Sequence, residues 1–317
     1  MANPIKSVAC IGTGTMGHGV ALSCAQAGYQ VKMFGRSDAS LERGFNSINQ
    51  ALKLLVETNL VPQEEVELIL ERIKGVKDLE EACEGVDFLV ESAAEDLSVK
   101  KELFQKFSRF CPQHAILATN TSGLSPTAIA EDLDCPERML VTHFWNPPHL
   151  IPLVEIVPNK ATSQDSINLA YNFILSLNKK PVILKREIEG FIGNRLQLAL
   201  FREALYLVET GVASPQEIDD AVKYGFGRRL SVTGPLESAD LGGLDIFLNI
   251  STYLFPKLSD SKTPFPSLEE KVRSGNLGSK TGKGFYDWNT EWGKQLKIAR
   301  QKELIEWLHK DKLHKDK

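Results

Sequence analysis

Residues 8–17 read Val-Ala-Cys-Ile-Gly-Thr-Gly-Thr-Met-Gly, and the fold class of the chain follows from this segment. Its first four residues predict a short buried strand, and the helical pattern of residues 18–26 begins directly after the glycines. The spacing G-x-G-x-x-G between a strand and a helix is typical of dinucleotide binding. Gly12 permits the tight turn, Gly14 leaves room for a pyrophosphate, and Gly17 lets the helix pack closely on the strand. The segment therefore predicts a phosphate-binding turn.

Short apolar runs alternate with longer amphipathic segments from residue 5 to about residue 184. This alternation favours βαβ units and a parallel sheet. We expect strands at Ser7–Ile11, Gln30–Phe34, Asp87–Val90, Ala115–Thr119, Met139–His143, Val154–Val157 and Pro181–Leu184. Residues 42–74 interrupt the alternation, because two amphipathic helical stretches flank the loop that ends at Pro62. We interpret this helical excursion as a substrate-facing insertion beside the sheet.

Helical signals dominate the chain after Gly190. One amphipathic helix is predicted from Asn194 to Glu209, and another begins after Ser214, with a proline and a glutamate in its first turn. The sequence thus predicts an α/β chain in which a Rossmann-like, doubly wound sheet domain is followed by a smaller all-helical domain. The predicted domains are residues 1–186 and residues 187–317.

The composition is that of a globular chain that recognises a small molecule. Of 317 residues, 42% are hydrophobic and 25% are charged, and 37 basic against 41 acidic side chains give a net charge of −4. This balance supplies no overall attraction for nucleic acid. No apolar run is long enough for a membrane helix and no signal peptide is recognised, so a cytoplasmic location without membrane attachment is expected. The five cysteines are widely spaced, which predicts neither a disulfide framework nor a metal site.

The end of the second predicted strand bears on the choice of dinucleotide. An acidic residue there would bind the ribose hydroxyls of NAD, but the sequence has Gly35, 18 residues after Gly17. Arg36 and Ser37 can instead bind the 2′-phosphate of NADP, the arginine through charge-assisted hydrogen bonds. In the alternative, Asp38 reaches the ribose and Arg36 is a solvated surface residue. We predict NADP as the preferred cofactor and NAD as the alternative.

Polar clusters follow three of the predicted strands, at the sheet edge where such folds bind ligands. His143 and Glu155 lie twelve residues apart across a proline-rich turn that can return the chain and bring the two side chains together. A histidine can accept the proton of an alcohol, while a carboxylate on its other nitrogen fixes the tautomer. Ser122 and Asn146 are placed to hydrogen-bond a substrate oxygen or the nicotinamide. In the alternative, His143 is a buried structural residue.

Seven segments match one family of enzymes. They are the glycine turn, residues 91–97 followed by Lys100, and residues 120–122, 143–155, 190–195, 234–237 and 280–286. With these segments the chain resembles the L-3-hydroxyacyl-CoA dehydrogenases and their relatives, the lambda-crystallin/L-gulonate 3-dehydrogenases and the carnitine dehydrogenases. The resemblance covers nearly the whole chain. It implies hydride transfer between a nicotinamide and C3 of a 3-hydroxyacyl substrate, and a homodimer formed by the helical domain.

The resemblance also implies roles for individual residues. His143 would be the general base with Glu155 as its partner, and Ser122 and Asn194 would hold the 3-oxygen and the thioester region of the substrate. Lys280 would return from the C-terminal part of the chain to close the site. The cofactor contacts expected from the turn, the second strand and the resemblance are Gly12, Gly14, Thr15, Met16, Gly17, Gly35, Arg36, Ser37, Glu95, Lys100, Asn120, Ser122, Asn146 and Lys280.

The helical excursion bears on the substrate. By resemblance, members that act on acyl-CoA carry a lysine-rich patch there for the CoA phosphates, whereas Lys53 is the one basic residue within residues 47–57 of this chain. We predict a short-chain 3-hydroxyacyl-CoA as the substrate, with Ser47 and Lys53 as contacts. The alternative is the same reaction on a free polar 3-hydroxy acid of the gulonate or carnitine type. A third interpretation is a crystallin-like protein that binds the dinucleotide without catalysis.

Overall fold

The computed structural model describes residues 5–315, and of residues 312–315 it describes the backbone. Within this range the chain forms a sheet of eight strands. They are β1 (Ser7–Ile11), β2 (Gln30–Phe34), β3 (Ile73–Val76), β4 (Phe88–Glu91), β5 (Ile116–Thr119), β6 (Met139–Phe144), β7 (Leu153–Pro158) and β8 (Lys180–Ile183). Their order across the sheet is β3-β2-β1-β4-β5-β6-β7-β8, and β7 is antiparallel to β6 whereas all other neighbours are parallel. The seven predicted strands are confirmed, each with ends within one residue of the prediction.

The strand β3 differs from the prediction. The helical excursion is present as α2 (Asp38–Glu57) and α3 (Val66–Glu71), after an α1 that spans Gly17–Gln26. Its predicted last two residues, 73 and 74, belong instead to β3, which pairs with β2 at the edge of the sheet. The two end residues of β3 are buried and Lys74 is exposed. So short a strand, with a lysine and a glycine in its middle, cannot be separated by pattern from the amphipathic helix before it.

Helices cover both faces of the sheet. After α3 they are α4 (Leu79–Cys83), α5 (Leu97–Phe110), α6 (Pro126–Ala130) and α7 (Gln164–Ser176). Alternate residues of β1 enter two separate apolar clusters, as expected for a strand that is buried on both faces. Val8 and Cys10 belong to one cluster together with residues of α1 and α7, and Ile11 belongs to the other together with Phe104 of α5. The predicted doubly wound arrangement is confirmed.

The chain divides into two compact units, which we call the sheet unit (residues 1–194 and 301–317) and the helical unit (residues 195–300). The helices of the helical unit are α8 (Gly193–Glu209, of which residues 193 and 194 belong to the sheet unit), α9 (Pro215–Tyr224), α10 (Pro235–Gly242), α11 (Leu244–Leu254) and α12 (Pro266–Arg273). The predicted cap of α9 is present, because the Ser214 hydroxyl accepts from the Glu217 N–H and the Glu217 carboxylate accepts from the Ser214 N–H. The second unit is helical, as the sequence predicts.

The C-terminal helix α13 (Glu291–Lys315) ends in the sheet unit. Ile305 is 4% exposed and belongs to the same apolar cluster as Val8, and the His309 ring hydrogen-bonds the Thr58 carbonyl oxygen at 2.8 Å. Residues 301–315 therefore belong to the sheet unit and not, as predicted, to the second domain, because they carry this apolar face. The boundary at residue 186 stays a prediction, and residues 1–4, 316 and 317 of the predicted domains lie outside the described residues.

The described residues were also compared with what a membrane helix, a metal site and a disulfide framework require. Between residues 5 and 315, no helix has both the length and the apolar character that crossing a membrane requires. In the same part of the chain, no three His, Cys, Asp or Glu side chains form a group that could hold a metal ion. The five cysteines are free thiols.

Candidate active site

The glycine turn joins β1 to α1 at the carboxyl edge of the sheet. Gly12 has a φ of +113°, and a Cβ atom there would lie 2.7 Å from the Ser92 carbonyl oxygen, so this position requires glycine. Among the described residues, nothing outside the adjoining chain lies within 4 Å of a Cβ atom built on Gly14, which leaves this backbone open to a ligand. Thr15 and Met16 follow, and the first turn of α1 has neither a side-chain cap nor an acidic residue. The turn fits a pyrophosphate bound at the helix N-terminus.

The end of β2 has a local structure that explains two of its residues. Gly35 is buried, and a Cβ atom there would lie 2.7 Å from the Ser40 hydroxyl and 2.9 Å from the Leu41 side chain. Any side chain at this position, an acidic one included, would therefore require the Ser40 and Leu41 side chains to move. The Ser37 hydroxyl is the N-cap of α2 and accepts from the Ser40 N–H at 3.2 Å. Ser37 therefore has a structural role that the sequence analysis did not assign.

The charged residues on either side of Ser37 have different surroundings. Asp38, which the alternative interpretation assigns to the ribose, forms a surface ion pair with Lys77 at 2.9 Å. Arg36 is exposed, and its guanidinium group has no hydrogen-bond or ion-pair partner within the described part of the chain. Arg36 is thus the charged side chain at the end of β2 that remains available to a phosphate.

A buried ion pair lies between β4 and α5. Lys100 is 1% exposed, and its Nζ lies 2.8 Å from both carboxylate oxygens of Glu91, which is fully buried. Lys100 also lies 3.5 Å from Glu95, whose carboxylate accepts from the Ser122 N–H at 2.8 Å and from the Thr121 hydroxyl. Two carboxylates therefore enclose the ammonium group, and Lys100 supports the Ser122 backbone through Glu95. The sequence analysis did not assign Glu91 a role, although an acidic residue at the end of an apolar strand is a signal for one.

The two asparagines predicted as cofactor contacts differ in their surroundings. Asn120 is 8% exposed; its Oδ1 accepts from the Phe144 N–H at 2.8 Å, and its Nδ2 donates to the Ser92 hydroxyl at 3.3 Å. It therefore joins the ends of β4, β5 and β6 and supports the strand that carries His143. Asn146 is exposed in the loop after β6 and precedes a cis proline.

His143 and Glu155 face each other across β6 and β7. They are directly paired residues of two antiparallel strands, so their side chains lie on the same face of the sheet. His143 Nδ1 lies 2.8 Å from Glu155 Oε2, and the two residues are 4% and 1% exposed. The turn between β6 and β7 thus brings the two side chains together, as the sequence predicts. The second ring nitrogen of His143, Nε2, has no hydrogen-bond partner among the residues that the structure describes and is open to a substrate.

Glu155 accepts four hydrogen bonds. Its Oε2 accepts from His143 and, at 3.2 Å, from the indole N–H of Trp145; its Oε1 accepts from the N–H groups of Ile192 and Gly193, at 2.9 and 3.0 Å. Burial raises the pKa of Glu155, but the hydrogen bonds outweigh burial, so that its pKa lies below the ordinary value. The carboxylate is therefore ionised at neutral pH and can stabilise a positively charged imidazole.

Two aromatic rings flank the imidazole of His143. The ring centroids of Trp145 and Phe191 each lie 5.5 Å from the imidazole centroid. A Cβ atom at position 193 would collide with the indole of Trp145, so the absence of a side chain at Gly193 leaves the space that this ring occupies. The sequence analysis assigned none of these three residues to the site. The tryptophan two residues after the histidine was the available signal for the indole.

Ser122 and Asn194, the predicted substrate contacts, lie together. The Asn194 side-chain amide donates to the Ser122 carbonyl oxygen at 2.9 Å. Because β5 and β6 are parallel neighbours, Ser122, three residues after β5, lies at the same sheet edge as His143. Within residues 5–315, no direct hydrogen bond joins either residue to the imidazole.

Three other predicted contacts are not brought to His143 by any hydrogen bond in the described residues. Ser47 and Lys53 lie on α2, where the Ser47 hydroxyl donates to the Arg43 carbonyl oxygen at 3.0 Å and Lys53 lies 3.9 Å from Glu57. Lys280 is exposed in a turn of the helical unit. Their predicted roles stay predictions.

Two family models match the chain. The NAD binding domain of 3-hydroxyacyl-CoA dehydrogenase matches residues 7–188, and the C-terminal domain of 3-hydroxyacyl-CoA dehydrogenase matches residues 190–288. A probable 3-hydroxybutyryl-CoA dehydrogenase of Bacillus subtilis is 37% identical over 90% of this chain and 98% of its own length. An L-carnitine dehydrogenase of Bacillus cereus is 33% identical over 96% of this chain and 92% of its own length.

A third relative is similar in both sequence and structure. The 5-formyl-3-hydroxy-2-methylpyridine 4-carboxylate 5-dehydrogenase of Mesorhizobium japonicum is 32% identical over 95% of this chain and 96% of its own length. A crystal structure of a 5-dehydrogenase for the same pyridine acid, an NAD+ dependent dismutase, covers 97% of this chain and 99% of its own, with a TM-score of 0.89 and 31% identity. The resemblance found in the sequence is confirmed. The chain belongs to the 3-hydroxyacyl-CoA dehydrogenase family and is an NAD(P)-dependent oxidoreductase that acts on a CH–OH group.

Proposed function

We propose that this protein transfers a hydride between a nicotinamide and C3 of a short-chain 3-hydroxyacyl-CoA, with His143 as general base. The observation that carries the proposal is the open Nε2 of a buried histidine whose Nδ1 is held by Glu155 at 2.8 Å. In the oxidation direction, Nε2 would accept the proton of the 3-hydroxyl group, while Glu155 fixes the tautomer and stabilises the imidazolium. A bound nicotinamide supplies the hydride acceptor.

Ser122 and Asn194 would hold the substrate beside His143. The Ser122 hydroxyl has no partner within the described residues, so it is free to donate to the 3-oxygen. Its backbone is supported on one side by Glu95 and on the other by the Asn194 amide. The reaction would take place in the cytoplasm, as the sequence analysis expects. Because the relatives are dehydrogenases, the interpretation without catalysis is not retained.

The charge of the helical excursion favours a second candidate substrate. Residues 42–74 carry six acidic and four basic side chains. Three of the basic residues have partners already, since Arg72 donates to the Ala25 carbonyl oxygen, Lys74 pairs with Glu81, and Lys53 lies 3.9 Å from Glu57. This surface therefore offers few basic side chains to neutralise the several negative charges of CoA. The second candidate is therefore hydride transfer to or from a small polar compound without CoA, and the names of the carnitine and pyridine relatives describe substrates without CoA.

Initial rates with four oxidised substrates distinguish the two candidates. Acetoacetyl-CoA, acetoacetate, 3-dehydrocarnitine and a formylpyridine carboxylate are each offered with NADH and with NADPH, and nicotinamide absorbance is followed at one pH and salt concentration. Turnover of the thioester alone supports the acyl-CoA proposal, and turnover of a CoA-free compound alone supports the second candidate. A protein that binds the dinucleotide and turns over none of the four would contradict both.

We propose NADP rather than NAD as the preferred cofactor, because no described residue pairs with the Arg36 guanidinium group and position 35 is a glycine without a carboxylate. Replacing Arg36 by alanine is expected to weaken NADPH binding about tenfold and NADH binding less than about twofold, since one charge-assisted contact contributes about 1.5 kcal/mol. Dissociation constants from nicotinamide fluorescence measure both effects. The control is Arg43→Ala, which removes another exposed arginine of the same region. Equal losses for the two dinucleotides would show that Arg36 does not bind the 2′-phosphate.

We propose that the helical unit forms a homodimer. Within residues 195–300, all of which are described, Leu205 is the one buried apolar side chain. Apolar side chains at least two thirds exposed in this range are Val212, Tyr224, Val232, Leu236, Leu241, Leu248 and Phe255. So many exposed apolar side chains in one unit favour an interaction surface, and a second copy of the chain would cover it. Light scattering is expected to give a mass of about twice 35.2 kDa. A monomer at micromolar concentration would contradict this proposal.

A further inference from the structure

Trp145 donates to the carboxylate oxygen that also binds the proposed base. Glu155 Oε2 accepts from His143 Nδ1 at 2.8 Å and from Trp145 Nε1 at 3.2 Å. Two donors on one oxygen divide its negative charge, so that each hydrogen bond is weaker than it would be alone. The indole therefore affects how strongly Glu155 holds the protonated imidazole.

The other carboxylate oxygen is fixed by the backbone. The N–H groups of Ile192 and Gly193 donate to Glu155 Oε1, so the carboxylate cannot rotate without losing them. The indole is fixed as well, because its ring lies against the Cα of Gly193, where a Cβ atom would collide with it. The position of the Trp145 N–H against Oε2 is thus set by the surroundings on both sides.

We propose that Trp145 is a positioning residue of the His143–Glu155 pair, whose N–H limits the charge that Glu155 presents to the imidazole. The inference rests on the proposed function, since it requires His143 to accept and release the substrate proton. A carboxylate without this second donor on Oε2 would hold the imidazolium more tightly. The protonated ring would then persist to higher pH, and alcohol oxidation, which needs the neutral ring, would slow.

The Trp145→Phe variant tests this role, because phenylalanine keeps an aromatic ring and removes the donor. We expect the acid limb of the pH–rate profile for alcohol oxidation to move about half a unit to higher pH, which lowers kcat on that limb by up to about threefold. Substrate KM and the dinucleotide dissociation constant should stay within about twofold, because the N–H is directed at Glu155. Glu155 is the one carboxylate within ion-pairing distance of His143 in the described residues, so this limb reports on their interaction.

Two further variants separate the hydrogen bond from packing. Trp307→Phe makes the same chemical change in α13, where the indole lies under the Lys310 ammonium at 4.2 Å, and should leave the rates and the pH profile unchanged. Trp145→Leu removes the aromatic ring as well as the donor, so we expect a larger loss of kcat together with a rise in KM. Thermal unfolding midpoints of all three variants show whether each retains the native fold.

The outcomes that contradict the proposal are specific. If Trp145→Phe keeps both kcat and the acid limb while Trp145→Leu loses activity, the indole acts through packing and not through its N–H. If Trp145→Phe lowers kcat and the unfolding midpoint together and the acid limb stays in place, its role is structural. Failure of the proposed function gives a different result, since His143→Ala would then retain the original kcat whatever the Trp145 variants do.

Discussion

The His143→Ala variant is expected to lose about 10³-fold in kcat for alcohol oxidation and to bind the dinucleotide with unchanged affinity. In the proposed mechanism His143 Nε2 accepts the substrate proton, and alanine leaves no group in its place. Glu155 keeps its hydrogen bonds from Trp145, Ile192 and Gly193, so the carboxylate stays paired and the site is not lost with the imidazole. Single-turnover rates of nicotinamide reduction at saturating substrate measure the chemical step apart from binding.

Two comparisons make the His143 result specific to proton transfer. His143→Gln keeps a polar side chain that can hydrogen-bond Glu155 but cannot act as a base, so it should lose activity to a similar extent. Added imidazole should restore part of the rate to His143→Ala, and no part to His143→Gln, whose side chain fills the space. A kcat within about tenfold of the original in either variant would contradict the assignment of the base.

The Lys100→Met variant is expected to lower the free energy of unfolding of the sheet unit by about 3–5 kcal/mol. Glu91 is fully buried and has both carboxylate oxygens 2.8 Å from the Lys100 ammonium. Methionine has a similar volume but no charge, so the substitution leaves a buried carboxylate without its counter-ion. Urea unfolding followed by far-UV circular dichroism measures the loss. The rate with substrate should fall too, because Lys100 also supports Glu95, which holds the Ser122 backbone.

The neighbouring lysine provides a matched control. Lys101→Met removes an ion pair with Glu131 and Asp132, whose side chains are 67% and 58% exposed, and should lower the free energy of unfolding far less than Lys100→Met does. The double variant Lys100→Met with Glu91→Leu removes both buried charges and should recover most of the stability. Equal stability of Lys100→Met and Lys101→Met would show that Glu91 does not depend on its partner.

Five of the seven predicted strands, β1 and β4–β7, are largely buried on both faces, whereas β2 and β8 include exposed residues. Residues of β4 and β5 are all buried, and the first three residues of each strand form an apolar run that differs from the amphipathic pattern of the helices around them. The strand β3 lies at the edge of the sheet and buries only part of its four residues. Its pairing with β2 is a long-range contact, and the local sequence of residues 73–76 does not predict it.

The site could be predicted only where its residues lie close together along the chain. His143 and Glu155 lie on two antiparallel strands joined by a short connection, so their separation of twelve residues was enough to predict that they meet. The other donors to Glu155 include the backbone N–H groups at positions 192 and 193, which are 37 and 38 residues away and have no side-chain signature. Ser37 shows the opposite case, because its hydroxyl was assigned to a ligand and serves as a helix cap. A serine before a helix satisfies both patterns, and sequence alone does not separate them.

The path of the C-terminal helix makes the helical unit an insertion rather than an appended domain. The polypeptide leaves the sheet unit after residue 194 and re-enters it at residue 301. A recombinant fragment that ended at residue 288, where the family match stops, would therefore lack the helix that carries Ile305. It would expose part of the apolar core of the sheet unit. Conversely, a protease that cut the chain once between residues 195 and 300 would not by itself release residues 301–315, because their apolar face would still hold them to the sheet unit.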